Sequence, residues 1–443
     1  MLWHLFKYLL GFVIAVFFKK TKISNIKYLR VKGPIILAVN HPNGFMDPVA
    51  LSTLVYPPRL RYLARGDAFK KGIITTILQS FGIIPIFRIQ DGGKEGLLKN
   101  EESYNIVTRL LTKNKKIIIF AEGLCIQERR LRPLKKGVPR MIFGAMQNKS
   151  LNNLIVVPVG INYTDPSQFR GTIYCNVGKP IKMIDYMAAY NEAPAKTMNQ
   201  FLTDLTIRMK ELIVSINHHR SEKVIEHIEE IYQYDFFKKE KLDANNPEHH
   251  FLLSAKIAEV INKAEDNEPE LVKSLQEKTN HYFTLIKKHN LRDWLINPCK
   301  QSAINYGVFV LRLCVIICSS PLYFIGIIAS YLPYKITYII TSKKVKIKEF
   351  KASFYMGIGA FLFLFYYTIQ FFIIKILTPN ILWLICILFL FIVSSIVCLH
   401  LSPFRKKTWG LLRLLKIKSN HPNLFEDLSM QRKEIIKSFE ELI

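Results

Sequence analysis

Acidic residues are scarce in this chain. It carries 34 Asp and Glu against 62 Lys and Arg, a formal net charge of +28 over 443 residues. Such an imbalance points to an anionic partner: nucleic acid, an anionic bilayer or an acidic substrate. Cysteine is equally thin. There are seven, an odd number, with no pair at zinc-finger spacing. That excludes a disulfide-stapled fold and fits a reducing compartment. No internal repeat, low-complexity tract or nucleic-acid motif is present, so the bilayer is the expected anionic partner and nucleic acid is not. His218-His219 and His249-His250 lack an accompanying cysteine or carboxylate constellation. Adjacent histidines do not share a helix face, so no metal is expected there.

What the chain does have is apolar sequence: half of its residues are hydrophobic. The runs 352–373 and 381–401 each reach the roughly 20 residues that a bilayer core requires. A longer run, 306–340, is interrupted by Arg312, Ser319-Ser320-Pro321 and Pro333. The loop after it holds Lys343, Lys344, Lys346, Lys348 and Lys351, and the stretch after the last run holds Arg405, Lys406 and Lys407. The positive-inside rule puts both basic regions, and the basic N-terminal half, on the cytoplasmic side. That bookkeeping predicts a hairpin or re-entrant segment in 306–340, turning near Ser319-Ser320-Pro321. The apolar N-terminus has no basic leader and no small-residue cleavage site, which argues against a signal peptide. It reads as an anchor helix at the interface, with Lys19-Lys20 at the phosphates.

Between these regions the pattern changes twice. Over residues 32–180, strand-like runs at 35–39, 61–64, 83–87, 116–121, 154–161 and 173–177 alternate with helical patterns at 69–81, 101–111 and 138–147. The pattern predicts an α/β domain whose mixed, largely parallel sheet is flanked by helices. From 196 to about 295 the chain is polar and helical in period. The expected organisation is an N-terminal anchor helix (1–20), an α/β domain (32–195), a helical linker subdomain (196–300), a transmembrane region (303–402) and a basic cytoplasmic tail (403–443). This is a multi-pass protein of the cytoplasmic (inner) membrane with its site on the cytoplasmic side.

Candidate chemistry gathers at strand ends, where parallel sheets place their ligands. The run 34–39 feeds into Asn40-His41-Pro42-Asn43-Gly44-Phe45-Met46-Asp47. A carboxylate that fixes one imidazole nitrogen frees the other to accept a proton from a hydroxyl. On a regular helix an offset of six leaves the two side chains about 240° apart, so a turn has to close the pair. Gly82 to Arg88 is a strand ending in a guanidinium, which binds phosphate bidentately. Phe120-Ala121-Glu122-Gly123 ends a third strand, and Arg129 to Gly137 adds basic residues, of which Lys135 and Lys136 stand directly before a helix. Val157-Pro158-Val159 lies in a fourth strand.

Taken in order, these four segments resemble the glycerolipid acyltransferase family, which includes bacterial lysophosphatidic acid acyltransferases, glycerol-3-phosphate acyltransferases and tafazzin. The resemblance covers residues 32–181. Two departures stand out: five residues, where the family has four, separate His41 from Asp47, and Leu124-Cys125 replace a hydroxyl residue and an arginine. The resemblance implies a membrane-bound O-acyltransferase, with acyl-CoA or acyl carrier protein as co-substrate and no other cofactor. The acceptor would be glycerol 3-phosphate or a lysophospholipid. Acylation of a lyso amino-acid lipid, or lipid binding without catalysis, are the alternatives. His41 would be the base and Asp47 its partner. Arg88, Glu122 and Gly123 would bind the glycerol phosphate, with Asn43, Gly44, Leu124, Lys135 and Lys136 as further substrate contacts.

Overall fold

The computed structural model describes residues 2–443 apart from 56–58, 67–68, 70–71, 88, 299–304 and 379; for 2–7, 73–74, 77 and 89–99 it describes the backbone alone. The chain forms two compact units. The first comprises Met1–Ser215, Asn245–Phe251 and Ile347–Ser353, and the second comprises Ile216–Ala244, Leu252–Lys346 and Phe354–Ile443.

The first unit is built on eight strands: β1 (Lys20–Ser24), β2 (Ile35–Val39), β3 (Leu60–Arg65), β4 (Ile83–Ile86), β5 (Lys116–Phe120), β6 (Ile155–Tyr163), β7 (Thr172–Val177) and β8 (Ile181–Lys182). Their order is β1-β7-β6-β2-β5-β3-β4, with β8 beside β6. All pairings are parallel except β6 with β7 and with β8. β2 is fully buried and sits between β5 and β6. Its near-continuous Ile-Ile-Leu-Ala-Val run is what a strand covered on both faces requires. Helices α1 (Leu2–Phe17), α2 (Met46–Leu54), α3 (Ile73–Ser80), α4 (Ile89–Thr112), α5 (Gly137–Met146), α6 (Ile184–Glu192) and α7 (Pro194–Lys210) flank the sheet.

This unit is wider than 32–195 at both ends. β1 pairs in parallel with β7. α7 buries Phe201, Leu205 and Met209 in the same core as Ile36, Ile117 and Phe143, so it belongs to the α/β unit and not to a linker. The edge at β1 is covered by residues 245–251. Lys22 Nζ reaches Glu248 at 2.7 Å, and Phe251 packs on Tyr174. α1 packs along α2 with Ile14 and Phe17 buried, while Tyr8, Leu9 and Phe12 stay more than half exposed. At 16 residues it falls short of a full span, and its exposed apolar face suits an interfacial position.

The second unit joins a polar helical bundle to three apolar helices. The bundle comprises α8 (Glu222–Lys239), α9 (Pro247–Asn267), α10 (Pro269–Lys288), α11 (Asp293–Ile296) and a helix near the C-terminus, Pro422–Glu440. The stretch 403–443, expected as a basic cytoplasmic tail, is helical and contributes core residues, among them Leu428, Ile435 and Phe439. The cause is a buried polar knot. Arg432 Nε donates to Asp293 Oδ1 at 3.0 Å, its NH2 donates to the Ile231 carbonyl at 2.6 Å, and the Tyr282 hydroxyl donates to Asp293 Oδ1 at 2.8 Å. Burial raises the Asp293 carboxyl, and Arg432 opposes the shift. Removing one partner of such a pair strands the other charge, so Arg432→Met is expected to destabilise this bundle by about 3–5 kcal/mol. Urea unfolding followed at Trp294, beside Asp293, would measure it.

The apolar helices are α12 (Tyr306–Lys344), α13 (Lys348–Leu377) and α14 (Ile381–Asn420), with α15 for Pro422–Glu440. All three are long and apolar enough to cross a membrane. The hairpin expected within 306–340 is not formed, and α12 runs through Pro321 and Pro333 as one helix of 39 residues. Proline deletes the hydrogen bond to the carbonyl four residues back. Here the Ser320 hydroxyl donates to the Ile317 carbonyl at 2.7 Å and supplies the missing partner. α12 and α14 run antiparallel. At Gly326 the two backbones come close enough that a Cβ would clash with the Ser394 carbonyl oxygen. Small residues at such crossings let helix backbones meet in lipid.

Candidate active site

β2 and β5 end side by side, β6 runs on past them to Tyr163, and the site is built on that edge. At the end of β2 the Asn40 amide pairs with the backbone of β6. Its Nδ2 donates to the Ile161 carbonyl at 3.0 Å, and its Oδ1 accepts from the Ile161 N–H at 2.7 Å. This reciprocal bond fixes the point where the chain leaves the sheet.

The chain then turns within residues 41–45 and enters α2. Met46 and Asp47 N–H groups both donate to the Asn43 carbonyl, at 2.9 and 3.2 Å. The turn does what a regular helix cannot: it carries the Asp47 carboxylate back to the imidazole. His41 Nδ1 lies 2.8 Å from Asp47 Oδ2. That oxygen also accepts the Asn43 N–H at 2.8 Å, and Asp47 Oδ1 accepts the Tyr163 hydroxyl at 2.6 Å. Asp47 is fully buried. Three donors converge on it, and it stands in the first turn of α2, at the favourable end of the helix dipole. The tautomer follows: Nδ1–H donates to Asp47, which leaves Nε2 to receive a proton. The ring lies flat against Phe120, centroids 3.9 Å apart, and keeps 17% of its side-chain surface exposed.

Glu122 ends β5 and is buried. Its Oε1 accepts the His41 N–H at 2.9 Å and its Oε2 accepts the Arg132 N–H at 3.1 Å. Burial raises its carboxyl, and the two backbone donors work against that rise. It therefore ties the His41 loop to the basic segment behind it. Within that segment, Glu128 pairs with Arg130 at 2.7 Å and Arg132 at 2.8 Å and is held down to about 2 by them. Lys135 and Lys136 are exposed at the start of α5, and the Lys135 stem lies over Gly123. Leu124 is part-exposed beside them. The Asn43 amide donates to the Pro166 carbonyl at 2.8 Å, and the Gly44 N–H donates to Cys125 Sγ at 2.9 Å. Burial and the nearby Asp47 charge push the Cys125 thiol up to about 12. Arg88 lies outside the described residues. The strand it follows is held by Asn100, whose side chain bonds both the N–H and the carbonyl of Phe87. Among the described residues no His, Cys, Asp and Glu group could hold a metal.

Residues 20–162 match the model of the family described as acyltransferase. The α/β unit is an acyltransferase domain. Glycerol-3-phosphate O-acyltransferase 1 of Saccharomyces cerevisiae is 26% identical to the chain over 215 residues, covering 47% of this chain and 27% of the relative. Glycerol-3-phosphate O-acyltransferase 2 of the same organism is 30% identical over 111 residues, covering 25% of this chain and 15% of the relative. An uncharacterized acyltransferase of Schizosaccharomyces pombe is 22% identical over 281 residues, covering 45% and 42%. The matches thus span less than half the length of these relatives. Among solved structures, the 1-acyl-sn-glycerophosphate acyltransferase of Thermotoga maritima aligns with 46% of this chain and 80% of its own, at 13% identity and a TM-score of 0.31.

Two groups of this acyltransferase domain were not foreseen from sequence. Tyr163 is the first; it stands at the end of β6, beyond the register partner of Val39, and no local sequence pattern links it to Asp47. The segment 347–353 is the second, and nothing in its composition announces it.

Proposed function

We propose that this protein is a membrane-bound glycerolipid O-acyltransferase that moves a fatty acyl group from a thioester donor to a hydroxyl of glycerol 3-phosphate. The observation that carries the reading is the His41–Asp47 pair, closed at 2.8 Å on the exposed end of the sheet. Two relatives, both glycerol-3-phosphate O-acyltransferases, favour glycerol 3-phosphate over 1-acyl-glycerol-3-phosphate as acceptor.

In this mechanism His41 Nε2 takes the acceptor hydroxyl proton as that oxygen bonds to the thioester carbonyl carbon. The carbon–sulfur bond then breaks, and the imidazolium returns the proton to the leaving sulfur. Asp47 holds the ring through Nδ1 and stabilises the imidazolium. Lys135 and Lys136 are the cations assigned to the acceptor phosphate, together with Arg88. Glu122 acts through the backbone it holds.

No protein nucleophile takes part. Cys125 is the group that could raise the question, and a thiol pushed up to about 12 carries almost no thiolate at neutral pH. Cys125→Ser keeps an acceptor for the Gly44 N–H, so kcat is expected to stay within about threefold of wild type. A covalent acyl-cysteine route would instead collapse in that variant.

The site belongs on the cytoplasmic side of the membrane in this reading. Ile347–Ser353 packs in the same unit as His41, and that segment sits within the lysine cluster that the positive-inside rule assigns to the cytoplasm. The deciding experiment is an assay of the purified full chain with acyl-CoA and acyl carrier protein donors. Glycerol 3-phosphate and a panel of lyso-lipids serve as acceptors. Acylated glycerol 3-phosphate is the expected product, and no transfer to any acceptor from either donor would end the proposal.

A further inference from the structure

The loop that carries His41 is met at Gly44 by a distant stretch of the chain. Gly44 has φ +32°, and its Cα faces another stretch of chain so closely that a Cβ would stand 2.7 Å from the Glu349 carbonyl oxygen and 2.9 Å from Phe350 Cδ1. The same stretch makes two further contacts with the site loops. Glu349 Oε1 accepts the Gln127 N–H at 3.1 Å. Phe350 packs on Phe45, ring centroids 5.5 Å apart. The two loops it touches are already joined to each other and to the base: the Ile126 N–H donates to the His41 carbonyl at 3.2 Å, and the Gly44 N–H donates to Cys125.

We propose that Glu349 and Phe350 are positioning residues for the acyl-transfer reaction: they brace the 43–45 and 125–127 loops from outside and so set where His41 Nε2 stands. The inference rests on the acyltransferase reading of the site. Its physical ground is the steepness of catalysis in distance, since a displacement of about 1 Å at a base costs on the order of 10²-fold in rate. The loop leaves the sheet at Asn40 and enters a helix only at Met46, and Glu349 and Phe350 meet it at Gly44 and Phe45. The brace is supplied by residues about 300 positions later in the chain, at the first turn of α13 (Lys348–Leu377). That helix is long and apolar enough to cross a membrane.

The test uses the full chain in detergent micelles, with Glu349→Ala, Glu349→Gln, Phe350→Ala and Phe350→Leu. Two readouts are taken on each: amide hydrogen exchange over 41–47 and 125–128, and kcat and KM for donor and acceptor. Glu349→Ala and Phe350→Ala are expected to speed exchange in both loops and to lower kcat about tenfold, with both KM values within about twofold and exchange in β2, β5 and β6 unchanged. Glu349→Gln keeps an acceptor oxygen for the Gln127 N–H, and Phe350→Leu keeps bulk against Phe45, so both are expected to recover most of the rate. Unchanged exchange in both loops of the alanine variants would overturn the brace. So would a glutamine variant as impaired as the alanine one, or slowed turnover that appears only with faster exchange across the sheet. If the wild-type chain transfers no acyl group, the functional proposal falls, and the exchange data alone decide whether the brace exists.

Discussion

His41→Ala is expected to lower kcat for acyl transfer by about 10²–10⁴-fold, the range a positioned general base contributes, while the chain still folds and enters membranes. The substitution removes a part-exposed ring that packs on Phe120 and bonds Asp47. The sheet core beneath it does not depend on that ring. The Asn40–Ile161 amide pair holds the strand end through a different residue. The measurement is single-turnover transfer by purified wild type and variant at matched circular dichroism. A variant that keeps more than about a tenth of wild-type turnover would remove the base from the mechanism.

Asp47→Asn carries the second-largest expected effect, and its direction follows from counting donors. Three hydrogens converge on the carboxylate, from His41 Nδ1, the Asn43 backbone and the Tyr163 hydroxyl. An amide offers one acceptor oxygen and turns its NH2 the other way. The Asn43 N–H and His41 Nδ1 share Oδ2, so the fixed Asn43 N–H keeps the amide oxygen there, and the NH2 falls against the Tyr163 hydroxyl, which rotates to accept. The imidazole keeps its tautomer but loses the negative charge that stabilises the imidazolium. The expected loss in kcat is about 10–10²-fold at pH 7, together with a stability loss of about 1–3 kcal/mol for the charge-assisted hydrogen bonds. Chemical unfolding and pH-dependent turnover separate the two effects. Wild-type turnover in this variant would show that Asp47 only shapes the turn.

Much of this site can be read from the sequence because its groups lie at the ends of runs that are unmistakably strands. Ile35–Val39 and Lys116–Phe120 are apolar enough to be central, so whatever follows them stands on the carboxyl edge. The closing of His41 onto Asp47 is only half legible. The count of residues shows that a turn is needed, but it does not show that the Asn43 carbonyl organises it. Glu122 is visible as a polar strand end, yet its work is done through backbone N–H groups at His41 and Arg132, and backbone partners leave no mark in composition. Tyr163 finds Asp47 across 116 positions, a distance that no local pattern spans. β1 escapes detection for a simpler reason. Lys20-Thr21-Lys22-Ile23-Ser24 has one large apolar residue and becomes a strand because β7 offers it an edge. The error at α12 is the reverse case. A proline inside an apolar run looks like a break until the serine before it is seen to replace the lost hydrogen bond.

The buried knot of Asp293, Tyr282 and Arg432 has a bearing on how the protein is made. Asp293 and Arg432 are 139 positions apart, and α12, α13 and α14 all lie between them. A ribosome adding about 5–20 residues per second therefore delivers the acid roughly 7–28 seconds ahead of its guanidinium. During that interval α8, α10 and α11 have been made with an unmatched charge and an incomplete hydrophobic face. Three helices long and apolar enough to cross a membrane are synthesised before the arginine arrives. The helical bundle is thus the last part of the protein to mature, and in a newly made chain it is the natural place for a chaperone to wait.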